Sequence, residues 1–185
     1  MVLPIYVYGQ PVLRKVAEDI PLDYPNLKEL IANMFETMDK ADGVGLAAPQ
    51  VGLPIRVVVM NLDCLSDEFP EYKDLKKVFI NGHILETMGE EISMEEGCLS
   101  LPGIHEEVKR MNKIHVKYLD ENLSEHDEVI EGYLARVIQH EFDHLEGRMF
   151  IDHLTAFRKQ MIKGKLNDLL KGKARSNYKL KPIGK

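Results

Sequence analysis

His140 and His144 stand four residues apart in the run HEFDH, with Glu141 directly after the first. On a helix that spacing puts both imidazoles on one face, where they can share one metal ion. Glu141 lies one position round and can reach a water on that ion without ligating it. The ion lowers the pKa of the water toward about 7, and the carboxylate takes its proton. Two histidines leave such a site one protein ligand short. A zinc protease of the HExxHxxGxxH type would find the third ligand downstream. Gly147 falls in place for that pattern, but Phe150 occupies the required position and His153 comes three residues too late. A carboxylate from a later helix would have to be Asp152 or Asp168. Upstream, the run Glu96-Gly97-Cys98-Leu99-Ser100 offers a thiolate, a good ligand for a late first-row metal. Taken alone, Cys98 reads as a small buried core residue rather than a ligand.

The elements that must position these groups follow from periodicity. From Asn26 a capped helix is expected, with Leu27, Leu30, Ile31, Met34, Phe35 and Met38 on one stripe, ending before Gly43. The stretch GVGLAAPQVGLP (43–54) breaks any period and predicts a tight loop that brings backbone close to something. IRVVVMNL (55–62) predicts a strand, 63–76 a polar surface loop, and KVFIN (77–81) and Ile84 to Met88 two further strands. Residues 90–101 are expected to be extended, and 105–110 and 113–120 to be antiparallel strands with one wet face. A second long helix is expected from near Asp127 past His144, burying Val129, Leu134, Val137, Ile138 and Phe142. A third is expected from Asp152 or Thr155, carrying Leu154, Phe157, Met161, Leu166, Leu169 and Leu170. The class is α+β: antiparallel sheets around a central HExxH helix, with a helix toward each terminus.

At 185 residues the chain suits one domain, and its 44% hydrophobic and 29% charged content is that of a soluble globular protein. No apolar run approaches the roughly 18–20 residues of a membrane span. The N-terminal stretch has neither a signal-peptide nor a transit-peptide pattern, and two cysteines make no disulfide framework. A reducing cytoplasm is the expected location. Residues 1–157 hold 14 Lys+Arg against 29 Asp+Glu, while 158–185 hold 10 against Asp168 alone. Residues 1–171 are therefore expected to form a single catalytic domain, and 172–185 a basic, flexible tail. The basic run suits phosphate backbone or a solvated surface.

Three separated motifs, GVGLAAPQVG (43–52), EGCLSLPG (96–103) and QHEFDHLEG (139–147), together resemble the signature of bacterial peptide deformylases. VLRKVAEDI (12–20) and the helix after it are also similar to that family. The resemblance implies hydrolysis of the N-formyl group from the formylmethionine of new polypeptides, with formate released. It makes Cys98 the third ligand beside His140 and His144, and Glu141 the general acid/base acting on a metal-bound water. It assigns the Gln50 amide and the Leu99 backbone N–H to the oxyanion. Val44 and Gly45, with Met94, Tyr133 and Val137, are the implied walls for the methionine. The implied cofactor is one divalent ion, Fe(II); the donor set also suits Zn, Ni or Co. Implied partners are formylated nascent peptides, with a ribosome contact through the basic C-terminal region, and neither DNA nor membrane. Ile104-His105 stands where many members carry an arginine, and Tyr133 and Arg136 replace smaller or apolar residues.

Overall fold

A computed structural model describes residues 1–184. The first strand, β1 (Ile5–Tyr6), precedes helix α1 (Leu27–Lys40), whose Ile31, Met34 and Met38 pack against Val57 and Val59. Asn26 sits at the head of α1 as expected, but in a left-handed conformation with no side-chain cap; its carbonyl accepts from Leu30 N at 2.9 Å. The chain then enters β2 (Gly45–Ala47), a one-turn helix at Ala48–Val51, and β3 (Val57–Asn61).

The two strands expected at 77–81 and 84–88 and the extended segment after them, as far as Gly97, are one element, β4 (Lys76–Gly97), while 98–101, also expected to be extended, form a turn closed by Leu101 N on the Cys98 carbonyl at 2.9 Å. Irregular pairing between Ile80 and His83, Ile84 and Glu86, and Met88 and Glu91 bends it against its partner, β5 (His105–Leu119). Such bulges shift side-chain alternation without ending the ladder, so the period breaks where the strand does not. β5 also joins two segments that had been expected to be separate. β6 (Glu125–Glu131) completes a five-stranded antiparallel sheet in the order β2-β3-β4-β5-β6.

β6 corrects the expected start of the second helix. Glu125–Glu131 pairs with Lys113–Leu119, and Val129, expected in a helical face, is 55% exposed. The alternation of Glu125, Asp127 and Val129 with His126, Glu128 and Ile130 is period two, which only a strand can present to a core. Gly132, at φ 77°, turns the chain, and α2 begins at Tyr133 and runs to Leu145. Its Ala135, Ile138, Phe142 and Leu145 pack into the concave sheet against Phe79, Ile114 and Val116. Phe142 meets Phe79 edge-on at 5.6 Å between centroids and lies over Gly82, where a Cβ would come within 2.4 Å of the ring. These contacts fix α2 in depth and rotation.

Helix α3 (Ala156–Leu170) is capped by Thr155, whose Oγ1 accepts from Arg158 N. Ile162 and Leu169 are buried, but Phe157 and Met161, expected on the apolar stripe, are 71% and 63% exposed. The C-terminal segment departs from the expected flexible tail. After Gly172 it turns back along the body, and β7 (Leu180–Lys181) pairs in parallel with β1. Gln10 Nε2 donates to the carbonyls of Lys181 and Pro182 at 3.2 and 2.8 Å. A segment too polar to fold alone is ordered by ladder bonds to an existing edge. No helix among the described residues is long and apolar enough to cross a membrane.

Candidate metal centre

α2 presents His140, Glu141 and His144 toward the end of β4, where Cys98 follows the strand. One ligand atom from each of Cys98, His140 and His144 lies within 4.8 Å of the others. Cys98 Sγ is 3.3 Å from His144 Nε2. His140 commits Nδ1 to Glu96 Oε1 at 2.7 Å, which leaves Nε2 for the centre. That hydrogen bond sets the ring's orientation and raises its basicity.

Glu96 is the buried anchor of this end of the molecule, a role with no local signal in the sequence. Its carboxylate accepts from Arg110 Nε and Nη2 at 2.7 and 3.0 Å and from Arg136 Nη1 at 2.7 Å, besides His140. Burial alone would raise its pKa; the bonds from His140 and Arg110 prevail and hold it at about 2. Arg110 also reaches Asp143 Oδ2 at 2.9 Å, and His153 meets the same oxygen at 2.8 Å. Arg136 also donates from Nη1 to the Val108 carbonyl and from Nη2 to the Ile92 carbonyl. It is thus a buried tie between α2 and the ribbon of β4 and β5, and it also lines the cavity.

The electrostatics favour a cation at the centre. Burial would raise the Cys98 thiol, but His144 and His140 bring it down to about 5, so the sulfur is a thiolate at neutral pH. Burial would lower His140, yet its bonds to Cys98 and Glu96 push it well above the ordinary histidine range. Glu141 is raised, first by burial, and among the described residues its Oε2 has no hydrogen-bond partner. A thiolate and two imidazoles facing one point form a mixed soft and borderline donor set that fits one late first-row divalent ion. The unpaired carboxylate oxygen beside them fits a water.

Gln50 is buried and faces both ways. Its Oε1 accepts from Ala47 N at 2.9 Å, which holds the turn, while Nε2 points to Ser100 Oγ at 3.2 Å and Cys98 Sγ at 3.5 Å. The Leu99 N–H meets no acceptor among the described residues. Gly45 shows why the first motif needs glycine: a Cβ there would lie 2.5 Å from Glu141 Oε1.

A cavity of about 460 Å³ opens over the centre, lined by Val44, Gly45, Gln50, Leu99, Tyr133, Val137 and Glu141, among others. Met94 is not part of it. It is 36% exposed, in a run from Glu91 to Gly97 where Glu96 alone turns inward. His105 is in the lining, and so are Arg175, Ser176, Asn177 and Tyr178 from the tail, which the sequence reading had set apart from the site. Their only sequence signal was the break in the charge run at Ser176-Asn177-Tyr178.

A thiolate, two imidazoles and a buried carboxylate gathered together, with Cys98, His140 and Glu141 lining one cavity, are the arrangement of a mononuclear metallohydrolase. Residues 2–160 match the family model described as polypeptide deformylase. The chain is 52% identical to a peptide deformylase of Flavobacterium psychrophilum, over 100% of this chain and 99% of that protein. Its similarity to one of Cytophaga hutchinsonii is 46%, covering 100% of both chains. The crystal structure of peptide deformylase from Thermotoga maritima aligns with a TM-score of 0.75 at 44% identity, over 84% of this chain and 99% of that one. One from Plasmodium falciparum aligns with a TM-score of 0.81 at 37% identity, over 91% and 95%. The chain belongs to the polypeptide deformylase family, single-metal hydrolases that remove the N-formyl group from nascent peptides. The protease alternative falls with that membership.

Proposed function

We propose that Cys98, His140 and His144 hold the metal of this deformylase, that Glu141 is its general acid/base, and that Gln50 and Leu99 stabilise the oxyanion. The observation that carries this reading is the convergence of the three ligand atoms beside the buried, unpaired Oε2 of Glu141. A divalent ion held there supplies Lewis acidity, bringing a water's pKa toward about 7. Glu141 takes a proton from the water as its oxygen attacks the formyl carbon. Charge gathers on the former carbonyl oxygen, toward which Gln50 Nε2 and the Leu99 N–H donate. Glu141 then returns the proton to the departing nitrogen as the C–N bond breaks, leaving formate and a free amine. Val44, Gly45, Tyr133 and Val137 enclose the methionine end of the substrate.

Formyl-Met-Ala-Ser serves as the test substrate, with formate release and internal cleavage followed in parallel. The wild type should release formate and leave the internal bonds intact. Glu141→Ala and Cys98→Ala should each lower the rate by at least about a hundredfold; formate release that survives both substitutions refutes the mechanism. Fe(II) is the proposed native ion, so anaerobic purification should yield about one iron per chain, a stoichiometry set by the one Cys98, His140 and His144 group found among the described residues. Stoichiometric zinc with full activity contradicts this.

The working location is the cytoplasm, at the ribosome. Lys159, Lys163 and Lys165 are exposed on α3 and offer counter-charge to RNA phosphate. Reversing these three charges should weaken co-sedimentation with ribosomes at low salt and leave tripeptide turnover intact; unchanged sedimentation removes the contact. Deleting the tail is the poorer test, because its residues line the cavity.

A further inference from the structure

Asn177 and Tyr178, adjacent in the tail, bond to different walls of the cavity. Asn177 Nδ2 donates to Asp42 Oδ2 at 3.2 Å, and the Tyr178 hydroxyl donates to the Leu99 carbonyl at 2.8 Å. Asp42 leads into Gly43, Val44 and Gly45; Leu99 follows Cys98. These walls meet at Gly43, where a Cβ would lie 2.8 Å from Leu99 Cδ1. The segment 175–178 therefore straps the seam between them, and all four of its residues face the cavity. It is braced from behind by the β1–β7 pairing and by Gln10. The family model matches residues 2–160, so this strap follows the matched family core, although relatives such as that of Flavobacterium psychrophilum align over 100% of this chain.

The chemistry proposed above leaves this part of the cavity without work. The ligands, Glu141 and Gln50 serve the formyl group, and Val44, Tyr133 and Val137 serve the first side chain. Ser176 Oγ donates to the Tyr178 carbonyl at 2.6 Å and Asn177 Nδ2 to Asp42, which leaves the Ser176 oxygen as an acceptor and the Asn177 Oδ1, its second Nδ2 hydrogen and the Arg175 guanidinium for the N–H and C=O of an extended peptide. We infer that residues 175–178 recognise the substrate chain downstream of its first residue, and that Tyr178 is a positioning residue for Leu99. The inference rests on the deformylase reading of the cavity. By holding the Leu99 carbonyl, Tyr178 restricts rotation of that residue and so keeps its N–H aimed at the developing oxyanion.

The test uses the full-length protein loaded with Fe(II), with formyl-Met amide and formyl-Met-Ala-Ser-Lys amide as substrates. Ser176→Ala combined with Asn177→Ala should raise KM for the tetrapeptide relative to that for formyl-Met amide by about three- to tenfold, the worth of one or two neutral hydrogen bonds. Tyr178→Phe should instead lower kcat on both substrates by a similar factor, with the KM ratio unchanged. Affinity for the unreactive acetyl-Met-Ala-Ser-Lys amide, measured by calorimetry, should fall in the double variant in step with its KM. An unchanged KM ratio and unchanged acetyl-peptide affinity in the double variant overturn the recognition role; an unchanged kcat in Tyr178→Phe overturns the positioning role. If the unsubstituted protein releases no formate from either peptide, the deformylase reading fails instead, and acetyl-peptide binding still decides the role of the strap.

Discussion

Two ion pairs join β5 to β4 from neighbouring residues, and they differ in everything but formal charge. Lys109 reaches Glu91 at 3.3 Å with side chains 71% and 58% exposed; Arg110 reaches Glu96 at 2.7 Å with side chains 4% and 6% exposed. Strand alternation makes the difference, since β5 turns Glu106, Val108 and Arg110 inward and Glu107 and Lys109 outward. The outer pair has water as an alternative partner for both charges. The inner pair has none, and its carboxylate is also held by Arg136 and His140. A buried pair is dear to break and weak evidence of net stability. What Glu96 secures here is the direction in which His140 points.

The contrast breaks most sharply at Glu96. Glu96→Ala strands Arg110 and Arg136 without their shared anion, which should cost about 3–5 kcal/mol in chemical denaturation. It also frees the His140 ring, so metal affinity should fall by about 10–100-fold in a chelator competition. Stability lost with affinity retained would show that the network holds the fold and not the ligand. Next in size is Gly45→Ala. Its methyl would meet Glu141 Oε1 at 2.5 Å and displace that carboxylate. Deformylation should fall by about a hundredfold, while metal content stays at the wild-type level because no ligand moves.

Acid sharpens the comparison at lower amplitude. The folded Glu96 carboxyl titrates at about 2, below its ordinary 4.5. A depressed folded pKa gives stability that is present above 4.5 and lost as pH falls toward 2. Asp143 and Asp152 are lowered too, against burial, through His153 and Arg14 respectively, and carry the same sign. Thermal unfolding followed from pH 6 to pH 2 should therefore show the main loss below about 4.5, and Glu96→Gln should flatten that slope.

Two of the proposed ligands were legible because histidines at helical spacing leave a local mark, whereas Cys98 alone reads as a core residue and only the resemblance of its motif singled it out. Glu96 stood two residues from Cys98 and left none, because its partners come from β5 and α2, at positions 110, 136 and 140. Arg136 was visible only as an oddity, since a lone arginine on a helix gives no hint of the carbonyls it will meet. The period-two stretch of β6 is only seven residues long and is parted from the helical pattern that starts at Tyr133 by Gly132 alone, so the two merge in the sequence. The strap was missed for a different reason: its order comes from an edge strand at Ile5–Tyr6, far away in the chain. Composition reports what a segment can do alone, and these residues do not act alone.

The smallest effect belongs to the outer pair, and it is the control for the rest. A double-mutant cycle on Lys109 and Glu91 should give a coupling of about 0–1 kcal/mol that fades with added salt, as expected where both side chains are mostly solvated. Metal affinity and deformylation should be unchanged in all three variants, since neither residue lines the cavity. A coupling comparable to that of Glu96 with Arg110 would mean that the ribbon transmits strain from its exposed face to the metal end. Burial of the inner pair would then no longer account for the difference between two neighbouring residues on one strand.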